Sequence, residues 1–182
     1  GDSIATNGIC LTVIEFGEDW YAADVSRESL HRTTLGSWKV GQTVNVEKAM
    51  LPTTRFGGHI VSGHVDGLGE ITLVRQNARS LYFEVTAPAE LAKYLAEKGS
   101  VTVDGISLTI NHLRGNIISL NLIPHTAERT NIGTWQQGTK VNLEVDVLAR
   151  YIERLMLGDK AAHTHTESNI SLDFLAQNGF LK

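Results

Sequence analysis

The sequence predicts an all-β protein that contains two copies of a small antiparallel barrel. Residues 1–47 align without a gap with residues 98–144, and 13 of the 47 aligned positions are identical. Each copy carries the Asx-Gly dipeptide of a tight hairpin between alternating side chains, and turn residues separate about six short strands in a full unit. Two long copies indicate a duplicated domain, because solenoids use shorter and more numerous repeats.

The alignment also predicts where the domains lie. Residues 59–97 lead into the second copy, and no counterpart precedes Gly1, so about 38 residues are expected to be absent before it. We therefore expect an N-terminally incomplete first barrel at 1–58, a second barrel at 59–146 and a helical tail at 147–182.

Composition narrows the class of protein. The 182 residues are 42% hydrophobic and 20% charged, which is enough apolar side chain for a buried core. The net charge of −4 and the lack of a dense Lys/Arg run disfavour nucleic acid as a partner. Apolar stretches fall far short of the roughly 20 residues that cross a bilayer, and no signal peptide is evident, so a soluble cytoplasmic protein is expected. The one cysteine, Cys10, fits a reducing compartment.

Two hairpins are predicted, with turns at Asn7-Gly8 and Asp104-Gly105, because both central residues of such a turn need positive φ. Alternation gives each hairpin an apolar face that lines a core and a face of small polar groups. The apolar faces comprise Ile4, Thr6, Ile9, Leu11 and Val13 in the first copy, and Val101, Val103, Ile106, Leu108 and Ile110 in the second. The small polar faces comprise Ser3, Ala5, Cys10 and Thr12, and Ser100, Thr102, Ser107 and Thr109. Such a face would let a flat ligand approach closely, and an ordinary solvated face fits the pattern equally well.

Further strands are predicted over 20–26, 43–48, 69–74, 80–86, 117–123 and 140–145. Helices are predicted over 27–35, 125–132, 88–98 and 147–157, with a second tail helix over 171–180 after a linker at 159–170. Leu148, Tyr151, Ile152 and Leu155 form an apolar stripe on the 147–157 helix. We expect this stripe to bury against another subunit.

The scaffold makes the same demands on both copies. Positions at which the copies differ are therefore candidates for catalytic or binding roles. In the alignment of the two copies, Cys10 corresponds to Ser107, Asn7 corresponds to Asp104, and Asp146 corresponds to Ala49. A thiol on the polar face of a strand could act as a nucleophile, although a lone cysteine is more often a small buried hydrophobe.

Two histidines, His59 and His64, flank the glycine-rich segment GGHIVSGHVDG. Five residues apart along a strand, the two rings would lie on opposite faces, and no thiol or carboxylate cluster joins them, so a metal site is disfavoured. A general acid or base suits an imidazole better, with a structural histidine as the alternative. The lack of a phosphate-binding glycine loop disfavours a nucleotide cofactor.

Four separated motifs carry a family resemblance: SIATNGICLTV, GGHIVSGHVDG, KGSVTVDGISLTI and LIPHTAERT. Together they resemble the riboflavin synthase family over residues 1 to about 158. The resemblance implies a cytoplasmic homotrimer of tandem six-stranded Greek-key barrels with a C-terminal helix. It implies a transferase without a cofactor, which moves a four-carbon unit between two 6,7-dimethyl-8-ribityllumazine molecules to give riboflavin and a pyrimidinedione. Family members usually begin with a Met-Phe-Thr-Gly segment that closes the active site, and this chain lacks it.

The resemblance also implies site residues, in a site between the first barrel of one subunit and the second barrel of its neighbour. The catalytic candidates are Ser3, Cys10, His64 and Asp146, supported by His59, Lys98 and Asp104. Substrate contacts on the first barrel are Cys10, Leu11, Thr12, Asp24, Val25, Ser26, Arg27, Glu28, Ser29, Gly63, His64 and Val65. Contacts on the second barrel are Lys98, Asp104, Ser107, Leu108, Thr109, Ile123, Pro124, His125, Thr126 and Ala127.

Three other classes of protein remain open at this point. A non-catalytic lumazine- or flavin-binding antenna protein shares the duplicated barrel, but it is expected to lack several of Cys10, His64 and Asp146, and this chain has all three. A flavin-binding oxidoreductase would need a nicotinamide-binding domain downstream, where only a short tail follows. A purely structural duplicated barrel fits the pattern of strands alone.

Overall fold

The computed structural model describes residues 1–55, 57–77 and 79–162, and it consists mainly of two antiparallel sheets. The predicted all-β class is confirmed. The first sheet has the order β3-β2-β1-β4 and contains β1 Ser3–Thr6, β2 Ile9–Phe16, β3 Tyr21–Ala23 and β4 Val46–Lys48. The second has the order β8-β7-β11-β5-β6-β10-β9 and contains β5 Gly67–Asn77, β6 Ser80–Thr86, β7 Ser100–Val103, β8 Ile106–Thr109, β9 His112–Arg114, β10 Ile117–Leu122 and β11 Lys140–Val145.

Within the described residues, three α-helices accompany the sheets: α1 Arg27–Arg32, α2 Pro124–Arg129 and α3 Val147–Met156. Residues 1–150 form one compact unit, and a second unit begins at Tyr151, inside α3. The predicted tail helix over 171–180 lies outside the described residues.

Both predicted hairpins are present in the same register. Asn7 and Asp104 each have φ of 47°, and the glycines that follow have φ of 76° and 82°, as a primed two-residue turn requires. Cys10 pairs with Ala5, and Ser107 pairs with Thr102, so the two side chains occupy equivalent positions on equivalent faces. The apolar faces point inward as predicted, because Ile9, Leu11 and Val13 are buried in the first copy.

A large apolar cluster lies behind the second sheet. Its largest side chains include Phe83, whose ring meets the edge of Trp135 at a centroid distance of 5.4 Å. Burial of a large aliphatic or aromatic side chain contributes about 1.5–3 kcal/mol, so this cluster dominates the stability of the described chain.

Several element boundaries differ from the sequence predictions. The predicted helix over 88–98 is a short 3-10 helix, Ala89–Tyr94, because its amides bond three residues back, from Leu91 to Pro88 and from Leu95 to Ala92. The predicted helices over 27–35 and 125–132 each break into an α-helix and a 3-10 helix at Thr33 and Thr130. Both threonines have an extended backbone, and each hydroxyl accepts the amide two residues further on.

The strands also differ in length and number. The strand predicted over 20–26 is limited to Tyr21–Ala23, and the one predicted over 43–48 to Val46–Lys48, whereas β5 extends to eleven residues. The second sheet has seven strands instead of six, because His112–Arg114 forms a short additional strand against β10.

The tips of the two hairpins pack directly against each other. A Cβ added to Gly8 would lie 2.6 Å from the Gly105 amide nitrogen, and one added to Gly105 would lie 2.7 Å from the Gly8 nitrogen. Only glycine permits this approach of two backbones.

A buried polar network surrounds the tips and repeats itself with the symmetry of the duplication. The Asn45 side chain donates to the Asp104 carbonyl at 2.9 Å, and the Asn142 side chain donates to the Asn7 carbonyl at the same distance. Within each copy, the Asn7 side chain accepts the backbone amide of Asn45 at 2.7 Å, and the Asp104 side chain accepts that of Asn142 at 2.8 Å. The network holds the two copies in one arrangement, since the side-chain amides of Asn45 and Asn142 would each lose a partner in the other copy if the copies separated.

Candidate active site

The segment that contains both histidines, residues 58–65, contacts both hairpins. We call it the histidine segment. Its residues belong to no strand, so the expectation that His59 and His64 project from opposite faces of a strand is wrong. The segment instead follows an irregular path, with a left-handed glycine at Gly63, where φ is +77°.

Gly63 places one end of the histidine segment on the first hairpin. Its carbonyl accepts the amide of Cys10 at 2.8 Å, and a Cβ at Gly63 would lie 2.8 Å from the Cys10 Cβ. Cys10 is half-buried under this contact, and the next residue, His64, is exposed. The chain then passes through the half-buried Val65 toward β5. The fold thus brings Cys10 and Gly63 into direct contact, although they are 53 residues apart in the chain.

His59 places the other end on the second hairpin. Its Nδ1 lies 2.8 Å from the Ser107 hydroxyl, and its Nε2 lies 3.2 Å from the Thr102 hydroxyl. Gly58 lies so close to Ser107 that an added Cβ would come within 2.1 Å of the serine oxygen. Because Ser107 is the counterpart of Cys10, one short segment touches the equivalent position of both copies.

Two further catalytic candidates lie near the ends of strands. Asp146 directly follows β11, and its carboxylate accepts the Leu148 amide at 3.0 Å, so it caps the first turn of α3. Ser3 begins β1, pairs with Thr12 and is half-buried. Ser3 and Thr12 therefore share the face of the first hairpin on which Cys10 lies.

The predicted substrate contacts after β3 and β10 occupy equivalent positions in the two copies. The register between Val13 and Ala23 directs the chain after β3 toward the Leu11–Thr12 end of β2. The residues at that position are Asp24, Val25, Ser26, Arg27, Glu28 and Ser29, with the Ser26 hydroxyl capping α1 by accepting the Ser29 amide at 3.0 Å. After β10 the predicted contacts are Ile123, Pro124, His125, Thr126 and Ala127, which enter α2. The Asn111 side chain accepts the Asn121 amide at 2.8 Å and keeps this part of the chain beside the end of β8.

Lys98 and Asp104 occupy different environments from each other. Lys98 is exposed, has φ of 64°, and donates its amide to the Ile110 carbonyl at 2.8 Å. Asp104 is only 4% exposed and belongs to the polar network at the hairpin tips. Burial raises the pKa of Asp104 to about 6, and hydrogen bonds from Asn142 and Asn131 offset part of that effect.

A polar cavity of about 370 Å³ lies beside the hairpin tips. Its lining includes Asn7, Thr34, Asp104, Asn131 and Trp135, and of the predicted site residues it contains Asp104 alone. The predicted ring-binding faces around Cys10 and Ser107 are therefore separate from this cavity. Among the described residues, no group of three or more His, Cys, Asp or Glu side chains has the arrangement of a metal site.

Sequence reasoning missed Glu144, whose carboxylate binds the histidine segment, and the network asparagines Asn45 and Asn142. A signal for them existed, because Asn45 and Asn142 are identical counterparts in the repeat, and so are Glu47 and Glu144. Polar residues that are identical in both copies are therefore a usable signal for buried networks.

The fold and the paired hairpin faces define a protein of tandem lumazine-binding domains. The chain matches the lumazine binding domain family over residues 1–49 and 62–146. Crystal structures of LumP share the fold. The complex with riboflavin superposes with a TM-score of 0.74 at 24% identity, covering 80% of this chain and 78% of LumP. The complex with 6,7-dimethyl-8-(1'-D-ribityl) lumazine gives a TM-score of 0.71 at the same identity, covering 80% and 77%.

Curated relatives make the assignment more specific. Riboflavin synthase of Photobacterium phosphoreum is 57% identical over 181 residues, which are 100% of this chain and 82% of the relative. The enzyme of Bacillus subtilis is 43% identical over 180 residues, which are 99% of this chain and 83% of the relative. The chain belongs to the riboflavin synthase family. The predicted family and the predicted enzymatic class, a transferase, are confirmed. Of the described residues, no helix is long and apolar enough to cross a membrane.

Proposed function

We propose that this chain catalyses the dismutation of two 6,7-dimethyl-8-ribityllumazine molecules, in which a four-carbon unit passes from one to the other to yield riboflavin and a pyrimidinedione. The main structural support for this proposal comes from the two hairpin faces. Two hairpin faces have the same register but differ at Cys10 and Ser107, and the histidine segment touches both positions. Two identical substrates with opposite roles require two sites of the same shape and different chemistry.

Each hairpin face supplies a surface on which a flat ring can lie. In the first copy, Cys10 and Thr12 present small side chains, whereas the side chain of Leu11 points into the core. Leu11 and its counterpart Leu108 therefore contribute to ring binding through their backbone. The residues after β3 and β10 lie beside the same strand ends and offer hydroxyl, carboxylate and guanidinium groups to a ribityl chain.

The chemistry requires removal of a proton from a ring methyl group of one lumazine and addition of a nucleophile to the other. We assign the nucleophile or transition-state contact to Cys10 and the proton transfers to His64, Ser3 and Asp146, with His59 and Lys98 in support. The exposed imidazole of His64 follows Gly63 directly and so lies next to the residue that packs on Cys10. Holding two rings in reacting geometry supplies much of the rate, because it converts an encounter of two substrates into a reaction within one complex.

We further propose a cytoplasmic homotrimer, in which each site forms between the first barrel of one subunit and the second barrel of its neighbour. The apolar stripe of α3 supports an assembly through this helix: Leu148, Tyr151, Ile152 and Leu155 are between 57% and 78% exposed in the single chain. Exposed apolar patches of this kind mark interfaces between proteins. In this proposal the domains divide at 58/59 and 146/147, and the single cysteine fits a reducing compartment.

The test is spectroscopic and uses the full chain with 6,7-dimethyl-8-ribityllumazine as the only added substrate. We expect riboflavin absorbance and fluorescence to grow with time, and one pyrimidinedione to form for each riboflavin. A LumP-like binding protein, which is the alternative, would change the lumazine spectrum at once and then form no riboflavin. That outcome would overturn the proposed function.

A further inference from the structure

Glu144 is a buried carboxylate on β11 that the proposed chemistry does not use. It is 3% exposed, and both of its oxygens accept hydrogen bonds from the histidine segment. Oε1 accepts the Ser62 amide at 2.8 Å and the Ser62 hydroxyl at 2.6 Å. Oε2 accepts the Gly63 amide at 3.0 Å. A buried carboxylate is costly unless it is fully paired, and these contacts provide the pairing.

These bonds act directly on the residues that meet the first hairpin. The amide of Gly63 is bound to Glu144, while the carbonyl of the same residue accepts the Cys10 amide at 2.8 Å. Gly63 is thus held from both sides, between β11 of the second copy and β2 of the first. Its left-handed backbone, with φ of +77°, sets the direction in which the chain continues to His64.

The histidine segment accounts for the environment of Glu144. It covers the carboxylate and supplies the three hydrogen-bond donors named above.

We propose that Glu144 is a positioning residue of the first-copy site, which holds Ser62 and Gly63 so that Gly63 stays packed on Cys10 and His64 stays beside it. This inference rests on the proposed function of the Cys10–His64 site. Glu144 itself touches no substrate. Charge-assisted hydrogen bonds are about twice as strong as neutral ones, and Glu144 accepts three hydrogen bonds from two consecutive residues, so the segment is held firmly.

The test compares three variants of the full chain. Glu144→Gln keeps the size of the side chain but replaces one accepting oxygen with a donor that faces another donor. Ser62→Ala removes the hydroxyl bond alone from an exposed residue, so it folds even if the first variant does not. Glu70→Gln is the matched control, because it makes the same chemical change in the same sheet at a surface ion pair with Lys140.

Two readouts are measured on each variant. The first is the steady-state formation of riboflavin, resolved into kcat and KM. The second is the rate at which iodoacetamide alkylates Cys10, followed by mass spectrometry of the peptide that contains Cys10. Alkylation requires no substrate and no catalysis, so it reports on the histidine segment even if the proposed function fails. Urea unfolding of each variant shows which fraction is folded.

For folded Glu144→Gln we expect kcat to fall about 10- to 100-fold with a KM within about threefold of wild type, because a displacement near 1 Å costs that much in rate. Alkylation of Cys10 should become about tenfold faster, since a lost charge-assisted bond is worth roughly that factor. Ser62→Ala should move both readouts in the same direction by a smaller factor, and Glu70→Gln should move neither.

Either of two results would overturn the proposal: wild-type alkylation in both Glu144→Gln and Ser62→Ala, or faster alkylation with an unchanged kcat. If the wild-type chain forms no riboflavin, the proposed function fails by itself, and the alkylation rates still decide whether Glu144 holds the segment over Cys10.

Discussion

Replacing Asp104 with asparagine should stabilise the protein at neutral pH. Asp104 sits at the tip of the second hairpin and is 4% exposed, and its counterpart in the first copy is Asn7. Asn7 accepts the Asn45 amide at 2.7 Å, just as Asp104 accepts the Asn142 amide at 2.8 Å. An asparagine at position 104 can keep that bond while it removes a charge from a buried place.

The size of the effect follows from the pKa of Asp104, which burial raises from its ordinary value of 3.8 to about 6. The folded protein therefore holds a proton on Asp104 more tightly than the unfolded chain does. Below pH 3.8 this preference contributes its full stability, and the contribution is lost as the pH rises through about 6. Each tenfold change in a protonation equilibrium is worth about 1.4 kcal/mol, so the whole difference corresponds to about 3 kcal/mol.

Urea unfolding at about pH 7.5 and about pH 4.5 measures this directly, as the free energy of unfolding of the two proteins. We expect Asp104→Asn to exceed wild type by up to about 3 kcal/mol at the higher pH and by much less at the lower pH. The reciprocal variant, Asn7→Asp, introduces a buried carboxyl and should lose stability as the pH rises. The reasoning is refuted if Asp104→Asn is no more stable than wild type at the higher pH, or if its gain in stability is the same at both pH values. Burial of the ionised Asp104 carboxylate would then not destabilise the folded protein as we expect.

Three further predictions concern the thiol, the helix and the hairpin tips. Cys10→Ser makes the first hairpin resemble the second and should lower kcat more than it raises KM in the riboflavin assay; a wild-type kcat would mean that the thiol only packs. A chain ended after Asp146 should lose the trimer in light scattering, and an unchanged mass would refute the role of α3. Gly105→Ala should cost at least about 2 kcal/mol in urea unfolding, from its positive φ and its contact with Gly8. Gly115→Ala, also at positive φ but with open space around it, should cost about half as much, and equal losses would show that the tip contact is unimportant.

The hairpins show which features could be predicted from local sequence. An Asx-Gly turn is strained for other residues, and alternation along a strand has a period of two, so the turn and the two faces depend only on near neighbours. The helix boundaries were less predictable, because they do not depend on near neighbours alone. Nothing in the local pattern shows that Thr33 and Thr130 adopt an extended backbone and divide each predicted helix in two.

The candidate site was predicted as a set of residues, and its arrangement was not. His59 and His64 lie in no strand, because the amides of Ser62 and Gly63 bind a carboxylate 82 and 81 residues away instead of a neighbouring strand. A contact at that separation leaves no periodic signal in the sequence. The same holds for Asp104, whose buried environment comes from asparagines contributed by both copies.

The sequence by itself determined the duplication, the two hairpins, the apolar faces and the family, because each depends on residue identity, spacing or turn chemistry. Only the tertiary structure decided that the histidine segment packs on Cys10 at one end and on Ser107 at the other. It also decided that Glu144 is buried and accepts hydrogen bonds from Ser62 and Gly63. The physical reason is that burial and hydrogen-bond partners depend on which distant segment covers a residue, and a contact at that distance leaves no pattern in the neighbouring sequence.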